Sequence, residues 1–179
     1  MVNDYFILDI ALPVDEVQTE LTGFISRYEK EILTLCLGYD LYSTFITALS
    51  GTPDQKWTDL RDGKVYQVNG VNVKWNGLVN TNKISLIAYY VYYKFLVSSS
   101  EFASSNGVKL INNENAANIN PRQKQVYAYN QCLDLIGSPS DSVKKGTLYN
   151  FLTYSNGLNS LTYPNWEFTQ LTKINIFNI

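Results

Sequence analysis

KISLIAYYVYYKFLVSSS, residues 83–100, is the stretch whose reading decides the fold. From Ile84 to Tyr93 it carries no charge. Its apolar and aromatic side chains do not keep to one side of a helical wheel: Ile84, Ile87 and Val91 mark one flank, and Leu86, Tyr90 and Tyr93 mark another. A helix that is apolar all round must be enclosed by protein or by lipid. The uncharged run falls well short of the ~20 residues that cross a bilayer. The reading is therefore a central core helix over about 83–104. It is carried through Glu101–Ser104 because Phe102 keeps the face, and it is stopped by Gly107. Thr81 or Asn82 can cap its start.

Upstream the period changes to two. Residues 64–67 and 71–75 flank Val68-Asn69-Gly70, and Asn-Gly between alternating residues is the strongest short hairpin signal, since both positions accept positive φ. Val65, Gln67, Val71 and Val73 do not settle on one face, so the register stays open. A lone hairpin is marginal. It has to pack on the helices or on another subunit, and with no obvious local cover for its valines it is expected to project toward a second chain. Before it, Val17, Leu21, Phe24, Ile25, Tyr28, Ile32 and Leu35 recur at three- and four-residue steps and predict a helix from Asp15, with Asp15 and Glu16 in the first turn and Gly38 as its stop. Leu41, Tyr42, Phe45, Ile46 and Leu49 predict a second helix that forms a corner with the first. Residues 53–60 hold one further helical turn with Trp57, and residues 5–12 read as a strand or arm stopped by Pro13.

Downstream, residues 112–120 are Asn-rich and turn-like. Asn120-Pro121 opens a helix with Asn at the N-cap and Pro at N1, and its inner face is Val126, Tyr129, Cys132, Leu133 and Ile136. A last helix is expected over 140–154, weakened by Gly146. Residues 155–179 read as loop and then as an extended, strongly apolar tail that wants a partner, either in its own domain or on a neighbour. The class is mainly α: a helical bundle around the buried helix, with one β-hairpin at about 64–75 and extended termini. Residues 1–154 form the helical domain and 155–179 the C-terminal tail.

Composition removes several function classes. The 179-residue chain has no histidine, which excludes His triads, His metal sites and His pH switches. Its net charge of −2 comes without a basic block, so nucleic acid finds no electrostatic footprint. Phosphate-binding glycine loops are absent. No cofactor and no metal are expected. Asp54, Asp59 and Asp62 could be imagined as an acid–base or metal group, but the reading taken is a solvated loop. Cys36 and Cys132 sit in apolar helical patterns as buried thiols. The N-terminus lacks a basic region followed by an apolar one, so no signal peptide is expected. The 14 tyrosines suit either a Tyr-rich core or a surface shown to other proteins. Trp57, Trp75 and Trp166 are equally candidates for core burial and for interface anchors.

Three passages carry a family resemblance. Tyr28-Glu29-Lys30-Glu31-Ile32-Leu33 through Leu37-Gly38-Tyr39-Asp40-Leu41-Tyr42 looks like an early helix ending in an "LGxxLY" corner. Lys74-Trp75-Asn76-Gly77-Leu78 precedes the Tyr-rich helix. An Asn-rich loop, the helix 122–136 and the ending "NIFNI" follow, the last with Asn178 where relatives carry glycine. Together they resemble tailed-phage head–tail connector (adaptor, or ring) proteins, including those of crAss-like phages. The resemblance implies a non-enzymatic virion protein at the head–tail junction, assembled in the host cytoplasm. Copies would form a ring, expected twelvefold, that docks below the portal protein, meets further tail or ring proteins and extends the DNA channel. DNA would pass without sequence-specific binding, and no membrane is involved. The candidate subunit-interface residues are Val65, Tyr66, Asn69, Val71, Val73 and Trp75 of the hairpin, with Trp166, Phe168, Ile174, Ile176, Phe177 and Ile179 of the tail. The alternative from another class is a glycan- or protein-binding module that uses exposed Tyr and Trp.

Overall fold

The structure is a computed structural model that describes residues 18–79, 84–99, 101–104, 107–110, 121–154, 162–164 and 166–175. The fold is mainly helical, with the hairpin where the sequence places it. Arm 5–12, the helix start at Asp15 and Glu16, the cap candidates Thr81 and Asn82, and the stretch 112–120 lie outside the described residues.

Helix α1 (Gln18–Leu37) turns into α2 (Tyr39–Leu49) at Gly38, whose φ of 76° lies in the left-handed region that only glycine enters without strain. The Gly38 N–H donates to the Thr34 carbonyl, and the Tyr42 N–H donates to the Gly38 carbonyl, so the corner loses little backbone hydrogen bonding. Near its end α1 buries Ile32, Leu33, Cys36 and Leu37, while Leu35 is exposed. The expected stripe stepped from Ile32 to Leu35. The 3.6-residue turn carries it to Cys36 instead.

Helix α3 (Gln55–Asp62) buries Trp57 and Leu60. Strands β1 (Lys64–Val68) and β2 (Val71–Trp75) pair antiparallel, with Tyr66 opposite Val73 and Val68 opposite Val71. The tip has positive φ at Asn69 and Gly70, as a tight two-residue hairpin turn requires. This register settles the valines. Tyr66, Val68, Val73 and Trp75 point into the core, Val71 lies on the same face where cover runs out at the tip, and Val65 points outward.

The central helix α4 (Leu86–Ser99) is buried along Leu86–Val91 and at Phe95, between α1 and α5 (Pro121–Ile136). Its cap is Ser85, whose hydroxyl accepts from the Ala88 N–H and donates to the Leu78 carbonyl. The helix ends sooner than the expected 104. Residues Glu101–Ser104 form β3 and pair antiparallel with β4 (Gly107–Leu110). Consecutive serines end a helix readily because their hydroxyls compete for backbone partners. Phe102 kept the helical period only by coincidence.

On α5, Ala128 and Cys132 are fully buried small residues that let it approach α4 closely, and Gln125 Nε2 donates to the Leu96 carbonyl. Helix α6 (Leu148–Tyr154) is shorter than the expected 140–154. Residues 138–146 instead form turns, held by the buried Asn150 amide, which donates to the Ser142 and Lys145 carbonyls. Thr147 caps α6 through its hydroxyl, which accepts from the Asn150 N–H. An aromatic chain runs through the core from Phe45 to Trp57, Tyr163, Phe151 and then Trp75 and Tyr66. It ties α2, α3, α6 and the hairpin together.

Candidate interaction surface

The hairpin divides by face. Trp75 is 2 % exposed, stacks on Phe151 and donates its indole N–H to the Leu60 carbonyl at 3.0 Å. Tyr66 packs edge-on against the same ring, and burial pushes its hydroxyl up to about 12. Val73 is buried beside them. Tyr66, Val73 and Trp75 therefore leave the set of contact residues: the hairpin lies on its own domain, and its inward side chains, apart from Val71 at the tip, are already covered. Asn69, Val65 and Val71 remain open, Val65 at 57 % exposure.

The tail also lies on its own domain over its described length. Tyr163 is buried, and its hydroxyl donates to the Lys56 carbonyl at 2.8 Å. Trp166 donates its indole N–H to the Cys36 carbonyl at 3.0 Å, and Phe168 packs against Tyr149 and Trp166. Farther on, the side chain of Asn130 grips the backbone of Ile174 twice. Its Nδ2 donates to the carbonyl at 2.8 Å, and its Oδ1 accepts from the N–H at 3.1 Å. Lys173 reaches Asp134 at 2.6 Å. Residues 166–175 hold no helix or strand, and none of them is fully buried. Ile176, Phe177 and Ile179 lie outside the described residues.

The three aspartates do not converge on one site. Asp54 precedes α3 and is exposed. Asp59 is 9 % exposed and is taken by Lys64 at 2.7 Å and Gln55 at 2.7 Å. Asp62 is held two-pronged by its neighbour Arg61. Among the described residues no group of three or more His, Cys, Asp or Glu could hold a metal ion. Arg61 and Asp62 also line an open cleft of about 600 Å³, together with Glu29, Ile46, Leu49 and Val79. Burial pushes the Cys36 thiol up to about 12 and raises Cys132 well above its ordinary value, so both are poor nucleophiles.

The three tryptophans, candidates for core burial and for interface anchors alike, are engaged in the domain: Trp57 and Trp75 are buried and Trp166 is half-buried. Sequence reasoning missed the exposed aromatics, Tyr39 at 72 % and Tyr127 at 46 %. Tyr39 follows the corner glycine, and the apolar face assigned to α2 began only at Leu41. Among the described residues no helix is long and apolar enough to cross a membrane. Compared with known protein families, curated proteins and solved structures, the chain matches none.

Proposed function

We propose that the chain is a non-enzymatic structural subunit of a tailed-phage virion, closing with its copies into a ring between portal and tail that extends the DNA channel. The observation that carries this reading is the corner at Gly38. The residues that resemble the connector "LGxxLY" pattern form a helix–glycine–helix corner with Leu37 and Leu41 in the core and Tyr39 standing out into solvent. An exposed tyrosine suits a protein contact, because it offers a large apolar face and a polar tip at low entropic cost. Further support comes from Val65 and Val71, exposed apolar side chains on a hairpin that is itself packed on the core. A head-to-tail contact between unlike patches closes into a ring when its rotation is right.

Light scattering on the eluting protein, with electron microscopy of the same fractions, tests the reading. Closed rings of about a dozen copies are expected. A single-chain mass at every concentration, with no assembly on the portal protein, would remove it.

A further inference from the structure

We infer that the outer edge of β1, at Val65 and Gln67, is a strand-addition site, and that it takes an extended, acidic segment of a partner protein as a third strand. The inference stands on the hairpin alone and holds whether or not the chain closes into a ring.

The register decides which backbone groups are left over. Val68 and Val71 close the two-residue turn and are a hydrogen-bonded pair, and the bonded pairs recur at Tyr66–Val73 and Lys64–Trp75. Between them the N–H and C=O of Val65 and Gln67 point away from β2, and those of Asn72 and Lys74 point away from β1. The two edges then differ. The edge of β2 is closed by the chain itself, because Gly146 lies so tightly on the Lys74 carbonyl that no Cβ fits. Along β1 there is no such cover among the described residues. The outward N–H and C=O of Val65 and Gln67 have no hydrogen-bond partner there, and both residues are exposed. An open edge is a ready template for another strand, and folded proteins commonly guard it with a charge, a proline or a bulge. Val65 and Gln67 are neither charged nor proline, and the pairing runs without a bulge. Lys64, the one charge on the strand, is turned to Asp59.

The occupant follows from the same groups. Two N–H and two C=O groups on alternate residues are met by one extended chain, and a helix, whose own groups are used internally, cannot meet them. The side chains set its character. The outer face of the hairpin is Val65, Gln67, Asn72 and Lys74, with Gln67 and Asn72 bonded to each other. It carries one cation and no acid, and Lys74 takes part in none of the ion pairs among the described residues. Residues directly opposed across a ladder share a face. A carboxylate on the incoming strand beside Val65 or Gln67 therefore stands on the side of Lys74, while Val65 supplies apolar contact. The other face is anchored in the core by Tyr66 and Val68. The edge is thus in place before the partner arrives, which lowers the cost of ordering.

The full chain and a synthetic peptide test this. The probe is a short capped peptide alternating valine and glutamate, and the readout is amide hydrogen exchange at Val65 and Gln67. Saturating peptide should slow exchange at these two residues about tenfold or more, while Tyr66 and Val68 stay as they were. In antiparallel pairing the residues opposite Val65 and Gln67 on the outer face are the glutamates, and their N–H groups point at β1. Methylating the glutamate nitrogens should therefore abolish the slowing, and methylating the valine nitrogens should leave it. Lysine in place of glutamate in the peptide should weaken binding about fivefold, and the chain variant Lys74→Glu, at an exposed position, should reverse that preference. Exchange unchanged at millimolar peptide would overturn the inference. So would slowing that the glutamate-methylated peptide produces equally, or a charge preference indifferent to Lys74→Glu. Val65 and Gln67 amides that are already slow without peptide and quicken on dilution would assign the edge to a second copy, and would equally overturn it.

Discussion

Glu31 shows how single residues couple elements here. The Tyr90 hydroxyl donates to Glu31 Oε1 at 2.6 Å, and Lys94 pairs with the same oxygen at 2.9 Å, fastening α1 to the central helix. The Lys94 ammonium also lies over the rings of Tyr28 and Tyr90. Burial pulls the Glu31 carboxyl upward. The hydrogen bonds from Tyr90 and Lys94, with the charges of Lys94 and Arg27, outweigh it and hold the carboxyl below its ordinary value. A folded-state pKa below the unfolded one stabilises above the unfolded value and is lost as pH falls through the folded one. Glu31→Gln should therefore melt lower than the parent at pH 7. The deficit should be about 0.5–1 kcal/mol, given that the carboxylate is partly solvated, and it should close as pH drops below about 4. A gap that persists unchanged into acid would show that the carboxylate charge is not what joins the helices.

Gly146 is constrained by a neighbouring strand's backbone. In the sequence it reads as a weak point in a helix. In the structure it precedes α6, and a Cβ there would run into the carbonyl oxygen of Lys74. The loop passes so close over β2 that a hydrogen is all that fits. Gly146→Ala should cost about 2–3 kcal/mol, because the obstacle is backbone and cannot swing aside. Denaturant melting checks this, and an unchanged midpoint would mean that the loop moves off the strand freely.

At the scale of elements, the central helix is the most exposed to a single change. Ile87 is fully buried in α4. Ile87→Asp should remove on the order of 4–5 kcal/mol or unfold the chain outright, since the new charge has no partner. Parental melting of that variant would show that α4 is not the pillar of the core. The existence and burial of this helix were legible in the sequence, though its end was not, because burial on every side leaves a signature that needs no tertiary knowledge. The hairpin was half legible. Asn69-Gly70 fixed the turn chemistry, but which strand face meets the core depends on Phe151, some eighty residues away, and short-range alternation cannot report that. The end of α4 and the start of α6 were misread for a shared reason. Phe102 and Val143 keep a helical spacing by chance, while the local chemistry, serines at 98–100 and Gly146, favoured other conformations. The contact surface was the least legible. Trp75 and Val65 look alike as apolar strand residues, and only the pairing register separates core from surface.

For the whole molecule, the same register makes the ring reading testable without confusing assembly with folding. Val65 and Val73 are both valines of one hairpin, 57 % and 3 % exposed. They differ in environment and not in chemistry. Val73→Asp should unfold the protein, because the carboxylate would be sealed beside Tyr66 and Trp75. Val65→Asp should change stability by no more than about 0.5 kcal/mol, the usual range for exposed positions. If the outward face of the hairpin meets a neighbour, that same Val65→Asp substitution, opposite Lys74 across the ladder, buries a carboxylate in a desolvated contact only in the assembled state. Its effect should then appear in the particle mass and not in the melting curve: chains that fold like the parent but stay below ring size. A particle mass equal to the parent's would remove the hairpin from the contact. Lower melting of the isolated chain would show that Val65 belongs to its own core. Tyr39→Ser, at the corner between α1 and α2, gives the independent comparison, since Tyr39 is more exposed still and belongs to a different element. A head-to-tail ring requires two unlike patches, so loss of assembly from both substitutions, with both melting curves unmoved, would place the hairpin face and the corner in subunit contacts, and a charge-swapped pair that restores assembly would show that the two meet.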